Sequence, residues 1–223
     1  MSKLIQLRNV SKVYRTAAGE VRALDNISLD IEHGEFVAIV GQSGSGKSTL
    51  MNILGCLDIP SGGIYKLSGR NMSRCSALVQ ARVRGREIGF VFQGFHLIPS
   101  LSALENVELP LIYRSIGREE RIHRAKESLA RVGLAERMHH RPCELSGGQQ
   151  QRVAIARAIA MAPPLILADE PTGNLDSHSG GEIMKMLHGL NREGHTVVLI
   201  THDNAIAQAA RRRICIRDGR VYT

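Results

Sequence analysis

A short apolar run, Phe36–Val40, passes directly into Gly41-Gln42-Ser43-Gly44-Ser45-Gly46-Lys47-Ser48-Thr49 and then into a helical pattern at 50–57. This order of strand, glycine loop and helix constrains the fold more than any other feature of the chain. Glycines let the backbone curl until successive N–H groups converge, and the N-terminus of the following helix adds partial positive charge. The loop is therefore suited to phosphate oxygens. In the pattern G-x-x-x-x-G-K-[ST], Lys47 is placed to reach the β- and γ-phosphates of a nucleotide, and the hydroxyl of Ser48 to coordinate Mg²⁺.

A second apolar strand, Leu165 to Ala168, ends in Asp169 and Glu170. Neighbouring residues of a strand point to different sides, which separates two tasks: Asp169 in the Mg²⁺ shell, Glu170 polarising a water molecule. Alone, the pair reads as a strand with capping acids. Beside a phosphate loop it reads as chemistry.

The remaining pattern is an alternation of strands and helices. Blocks 4–10 and 24–31 are expected to form antiparallel strands, and Ile88–Phe92 a further strand. From about 101 to 133 the pattern is helical, with a capping box at Ser102 to Glu105 and an amphipathic stretch at 119–132, and this block reads as a separate helical lobe. Another helix follows Ser146-Gly147-Gly148 until Pro163-Pro164 stops it. A helix at 180–191, a strand at Thr196–Thr201, a short helix at 204–210 and a strand pair around Asp218-Gly219 close the chain.

Composition narrows the class. A chain of 223 residues with 43% hydrophobic content can bury a core as one large domain or two small lobes. No run approaches the roughly 18 apolar residues of a membrane-spanning helix. The N-terminus lacks the apolar core of a secretory signal, so the expected compartment is the cytosol. Four cysteines without C-x-x-C spacing argue against a zinc site or a disulfide framework. The net charge of +8 suits nucleic acid, an anionic membrane or a polyanionic ligand, and the one tight basic run, Arg211-Arg212-Arg213, reads as a solvated turn before a strand.

Two further segments, Leu145-Ser146-Gly147-Gly148-Gln149 before a helix and His202 just past a strand, combine with the first two motifs to resemble the ABC (ATP-binding cassette) ATPase family over essentially the whole chain. The resemblance implies an α/β P-loop cassette with a mixed central sheet, an N-terminal antiparallel β subdomain and an inserted helical lobe. Residues 1–223 would form one ATPase domain, with about 94–162 as the lobe. It implies ATP and Mg²⁺ as ligands, Tyr14 stacked on adenine, the 41–49 loop on the phosphates, and Ser48, Gln93 and Asp169 around the metal. Glu170 matches the catalytic carboxylate, His202 the switch histidine, Gln93 the Q-loop glutamine and Asn174-Leu175-Asp176 the D-loop. Ser146, Gly147, Gly148 and Gln149 match the signature, which in the family completes the nucleotide site of a second copy, so a head-to-tail homodimer around two ATP molecules is expected.

Within the family, the phrases Gly-Glu-Val-Arg-Ala-Leu at 19–24, Gly-Cys-Leu-Asp at 55–58, Ile-Gly-Phe-Val-Phe-Gln at 88–93 and Ala-Asp-Glu-Pro-Thr-Gly-Asn-Leu-Asp at 168–176 are similar to the MacB/LolD/FtsE-like branch. That resemblance implies an export or extraction motor at the cytoplasmic face of the inner membrane. Its partners would be two separately encoded permease subunits and a periplasmic adaptor, with no nucleic acid. The apolar loop 95–101 is expected to dock the permease, against the alternative of packing the lobe on the core. Gly94 stands where the branch leads one to expect a larger residue. DNA-maintenance ABC ATPases carry long coiled-coil or zinc insertions, whereas only about fifty residues separate Gln93 from Ser146 here. Translation factors carry two cassettes, and P-loop kinases or GTPases lack the signature and His202.

Overall fold

The computed structural model describes residues 2–16 and 19–222. Its elements in chain order are β1 (Lys3–Thr16), β2 (Gly19–Glu32), β3 (Phe36–Val40), α1 (Lys47–Leu54), β4 (Gly62–Leu67), β5 (Arg70–Asn71), α2 (Ala77–Glu87), β6 (Ile88–Phe92), α3 (Ala103–Tyr113), α4 (Arg118–Arg131), α5 (Gly147–Ile159), β7 (Leu165–Asp169), α6 (Ser177–Arg192), β8 (Thr196–Thr201), α7 (Asn204–Ala207), β9 (Arg212–Arg217) and β10 (Arg220–Tyr222). They fall into two compact units, Met1–Arg84 with Gly194–Thr223, and Gly85–Glu193.

The first unit holds the expected antiparallel sheet, in the order β2-β1-β4-β5. Leu7 faces Leu29 on one side and Tyr65 on the other, and the apolar residues Ile5, Leu7, Val10, Leu24 and Ile31 are wholly buried. Tyr65 lies in this core and donates its hydroxyl proton to the carbonyl of Leu54 at 2.7 Å, which fastens the C-terminal end of α1 to the sheet. The unit also contains mixed-sheet strands: β3 lies parallel to both β8 and β9, and β10 returns antiparallel to β9. β8 is buried along its whole length and β3 up to Ile39, as parallel strands covered on both faces must be.

The second unit pairs β6 with β7 in parallel and packs α5 closely on β6. A Cβ at Gly89 would sit 2.5 Å from the carbonyl oxygen of Ala158, so only glycine allows that approach. The Ser102–Glu105 capping box forms as expected at the start of α3. Arg121 of α4 pairs with the largely buried Glu108 of α3 at 2.7 Å.

Several sequence expectations shift. The loop helix begins at Lys47 rather than Leu50, because Gly46 in the left-handed region serves as its N-cap. The helical block at 101–133 is two helices, interrupted where Ser115 takes φ +55°. Residues 62–87 carry no strong local pattern, yet form β4, β5 and α2, with β4 created by its pairing to β1. Of the basic run, Arg211 is exposed just before the strand as expected, but Arg212 and Arg213 already lie in β9, and Arg212 donates through Nη1 to the carbonyl of Asp30 and to Glu35 Oε1, each at 3.0 Å.

Candidate functional site

The glycine loop in the first unit has the curled geometry its sequence demands. Gly44 and Gly46 take φ +78° and +105°, a region costly for any residue with a Cβ. The helix behind it, α1, has no acidic residue in its first turn and no side-chain cap, so its N-terminal N–H groups keep their partial positive charge. Lys47 folds its ammonium onto the loop's own carbonyls, Gly41 O at 2.7 Å and Gln42 O at 2.8 Å. The buried Ser45 hydroxyl has no partner among the described residues. Gly41 anchors the loop, because a Cβ there would lie 2.3 Å from Ile216 O. Gln42, Ser43, Gly44 and Ser48 are exposed, while Thr49 is half-buried. A cation, a helix N-terminus and glycine-freed N–H groups fit a polyphosphate, and the exposed Ser48 hydroxyl is a hard oxygen donor suited to Mg²⁺.

Two more expected residues lie in this unit. Tyr14, on β1, is half-buried; its hydroxyl donates to Asp58 Oδ2 at 3.3 Å, and the Lys12 ammonium sits 5.1 Å from its ring centroid. His202 is exposed directly after β8, on a turn fixed from both sides. The Asp203 N–H donates to Thr201 Oγ1 at 3.0 Å, and Asp203 Oδ1 caps α7 by accepting from Ala205 N at 2.7 Å.

The second unit carries the other expected residues. β7 delivers Asp169, and the chain turns at Glu170, which takes φ +44°. A non-glycine residue in that region costs about 1–3 kcal/mol, a strain often stored where a side chain must be aimed. The turn closes with Gly173 N donating to Glu170 O at 3.0 Å. Beyond it, Gln93 Nε2 donates to Asn174 Oδ1 and Asn174 Nδ2 donates to Gln93 O, both at 3.1 Å. Gln93 is thereby brought beside the segment that follows the acidic pair.

The signature residues form the start of α5. Ser146 Oγ accepts from Gln149 N at 3.3 Å while Gln149 Oε1 accepts from Ser146 N at 3.0 Å, a reciprocal capping box. Both side chains thus have a local structural task. Gly147 is half-buried; Gly148 is buried, and a Cβ on it would meet Ser179 Oγ at 3.0 Å.

Sequence reasoning gave no role to Asp58, Lys12 or Arg157. Arg157, on α5, donates to the carbonyls of His96 (2.5 Å) and Phe95 (2.8 Å), two consecutive residues at φ +49° and +59°. Burial lowers the pKa of its guanidinium. The only signal was a basic residue in a mostly apolar helix. The structure also accounts for Gly94: the His96 ring lies tilted against Phe92 with centroids 4.8 Å apart, and a Cβ at Gly94 would press on the His96 ring at 3.3 Å.

Comparison with known proteins gives a consistent picture. The family profile described as "ABC transporter" matches residues 24–173. The chain is 55% identical over 221 residues to the macrolide export ATP-binding/permease protein MacB of Escherichia coli, covering 99% of this chain and 34% of that protein. It is 57% identical over 221 residues to the pyoverdine export ATP-binding/permease protein PvdT of Pseudomonas aeruginosa, covering 99% of this chain and 33% of that one. The chain therefore spans about a third of the length of these curated relatives. Among solved structures, a dimeric post-hydrolysis state of the ATP-binding cassette MJ0796 bound to ADP and Pi superposes with a TM-score of 0.90 at 49% identity, covering 98% of this chain and 97% of that one.

Proposed function

The chain belongs to the ABC transporter family as an ATP-binding ATPase domain, and on that premise we propose that it is the motor of an export or extraction system, closing as a pair around ATP to drive a membrane permease. The observation that carries the reading is the glycine loop: left-handed Gly44 and Gly46, an uncapped helix start and the inward-held Lys47 ammonium form a polyphosphate cradle with no acidic group in the helix's first turn.

The residues divide the work by chemistry. Lys47 exchanges loop carbonyls for β- and γ-phosphate oxygens, and residues 41–49 supply N–H groups. Ser48, Gln93 and Asp169 are the oxygen donors assigned to Mg²⁺, which when bound neutralises charge on the phosphates being cleaved. Glu170 orients water and accepts its proton as the water oxygen attacks the γ-phosphorus and the bond to the ADP oxygen breaks. His202 donates to the γ-phosphate. The helix start at Ser146 to Gln149, with no acidic residue in its first turn, is assigned to the γ-phosphate held by a second copy, as the dimeric cassette MJ0796 makes reasonable. Two nucleotides enclosed between two copies would hold them together, and loss of the γ-phosphate would let them part.

The assigned place of work is the cytoplasmic face of a membrane, beside two permease subunits and, on the far side, an adaptor. Among the described residues no helix is long and apolar enough to cross a bilayer. Ile98 and Tyr113, 41% and 86% exposed, support a docking surface at 95–101 and the end of α3. The buried Asn106 side chain holds that loop, accepting from Ile98 N and donating to the carbonyls of Ile98, Leu101 and Ser102.

Steady-state ATPase assays test the assignment. Wild-type protein is expected to turn over Mg-ATP, Glu170→Gln to bind ATP without turnover, and Lys47→Ala to lose nucleotide binding. Wild-type turnover in Glu170→Gln would refute the water-activating role. Intact permease capture by a Leu97→Glu/Ile98→Glu variant would refute the docking surface.

A further inference from the structure

Tyr14 is held by more than its strand. Its hydroxyl donates to Asp58 Oδ2 at 3.3 Å, while the other carboxylate oxygen, Oδ1, accepts from Lys12 Nζ at 2.6 Å and from Ile59 N at 2.7 Å. The same ammonium donates to Ile59 O at 2.9 Å and lies over the Tyr14 ring. Lys12 is only 12% exposed and Asp58 29%, so the pair is no solvated surface bridge. Next to it, Ser61 Oγ accepts from Val13 N at 3.0 Å, a second tie between the segment after α1 and the stretch of β1 that leads into the tyrosine. The Asp58 carboxyl lies below the ordinary carboxylate range: burial pushes it up, but the hydrogen bonds from Lys12, Ile59 N–H and Tyr14 outweigh burial.

Asp58 follows four residues after the C-terminal end of α1, the helix whose first turn carries Lys47 and Ser48. One carboxylate therefore connects the end of the phosphate-loop helix to an aromatic ring. We propose that Asp58 is a positioning residue for the nucleotide base: by clamping the Tyr14 hydroxyl and the Lys12 ammonium together, it fixes the Tyr14 ring as a stacking platform at a set place relative to the phosphate cradle. The inference rests on the assignment of Tyr14 to adenine stacking. With one ring face under the Lys12 ammonium, a base stacks on the opposite face. A ring locked by its hydroxyl forfeits no rotational freedom when the base arrives, which is where the affinity comes from.

A purely structural bridge and a base-positioning clamp differ in one measurable way. The clamp acts on the base, so its loss must weaken ADP and spare pyrophosphate, which offers the same diphosphate without a base. Calorimetric titration of the full chain with Mg-ADP and with Mg-pyrophosphate is the test. Asp58→Asn and Tyr14→Phe are each expected to weaken ADP by about three- to tenfold, the scale of one net hydrogen bond, and to leave pyrophosphate within about twofold. Because both act through one contact, the double variant is expected to be no weaker than the worse single variant. Equal weakening of ADP and pyrophosphate by Asp58→Asn would overturn the proposal in favour of a general prop for α1. Unchanged ADP affinity in Asp58→Asn and Tyr14→Phe, with Tyr14→Ala impaired, would overturn the clamp alone. Unchanged ADP affinity in Tyr14→Ala would remove the stacking assignment itself. Should Asp58→Asn fail to fold, Tyr14→Phe decides, since it keeps the ring and deletes only the clamped hydroxyl.

Discussion

Gln93 and Asn174, 81 positions apart, grip each other by two reciprocal amide hydrogen bonds of 3.1 Å. The residue that directly follows β6 is thereby coupled to the turn that carries Glu170, and the fit is close: a Cβ on Gly173 would stand 2.7 Å from Gln93 Nε2. Asn174→Ala removes both bonds without touching the phosphate loop. Its expected effect is a fall in ATP turnover of about three- to tenfold, with ADP affinity within about twofold of wild type. Parallel turnover and calorimetry check this; equal loss in both would show that Asn174 acts on folding rather than on Gln93.

The Arg157 clamp holds two carbonyls belonging to consecutive left-handed residues, Phe95 and His96. Arg157→Met keeps much of the side-chain volume and deletes the donors. About 2–3 kcal/mol of unfolding free energy is expected to go, because neither carbonyl keeps this donor. Urea denaturation reads the loss, and an unchanged midpoint would contradict the clamp.

Gly41 leaves no room for a methyl group, with Ile216 O at 2.3 Å and Ser45 Oγ at 2.6 Å from an added Cβ. Since the nearer atom is backbone, it cannot swing away. Gly41→Ala is expected to destabilise the fold by more than about 1 kcal/mol and to abolish the rise in Tm that ADP gives the wild type. A normal ADP-induced shift in this variant would mean that the loop tolerates displacement.

Acid stability should depend on Asp30, which accepts bidentately from Arg8 at 2.6 and 2.9 Å and from Lys3 at 2.8 Å. The Arg8 hydrogen bonds outweigh partial burial, Lys3 adds to them, and the carboxyl falls from 3.8 to about 2. A depressed carboxylate stabilises the fold above its unfolded value and loses that contribution as pH falls from about 4 to about 2. Discounted for the exposure of Arg8 and Lys3, the contribution is about 1 kcal/mol. Asp30→Asn is therefore expected to be less stable than wild type by that amount at pH 7, with the gap shrinking as pH falls through about 2, by urea titration across that range.

What the sequence revealed and what it hid follow from contact range. The glycine loop and the Ser102–Glu105 box were legible because their geometry is written within a few residues of chain. The Tyr14–Asp58 contact spans 44 positions, and the Arg157–Phe95 contact 62. No local periodicity encodes such contacts, so these partners surfaced only in the fold. β4 was hidden for the same reason, being a strand by virtue of its pairing with β1. The left-handed turns at Phe95, His96 and Glu170 were hidden because residue type does not announce φ > 0 outside glycine. The basic run at 211–213 was legible only in part: Arg211 and Arg213 are exposed as expected, whereas Arg212 also finds the Asp30 carbonyl and Glu35, partners more than 170 positions away.

Closure of two copies of this chain around ATP would double the particle mass, which light scattering on size-separated Glu170→Gln protein reads. With saturating Mg-ATP the variant is expected to run at the mass of two chains, and with ADP at the mass of one. A single-chain mass under saturating Mg-ATP, with nucleotide shown to be bound, would mean that ATP does not pair the chains.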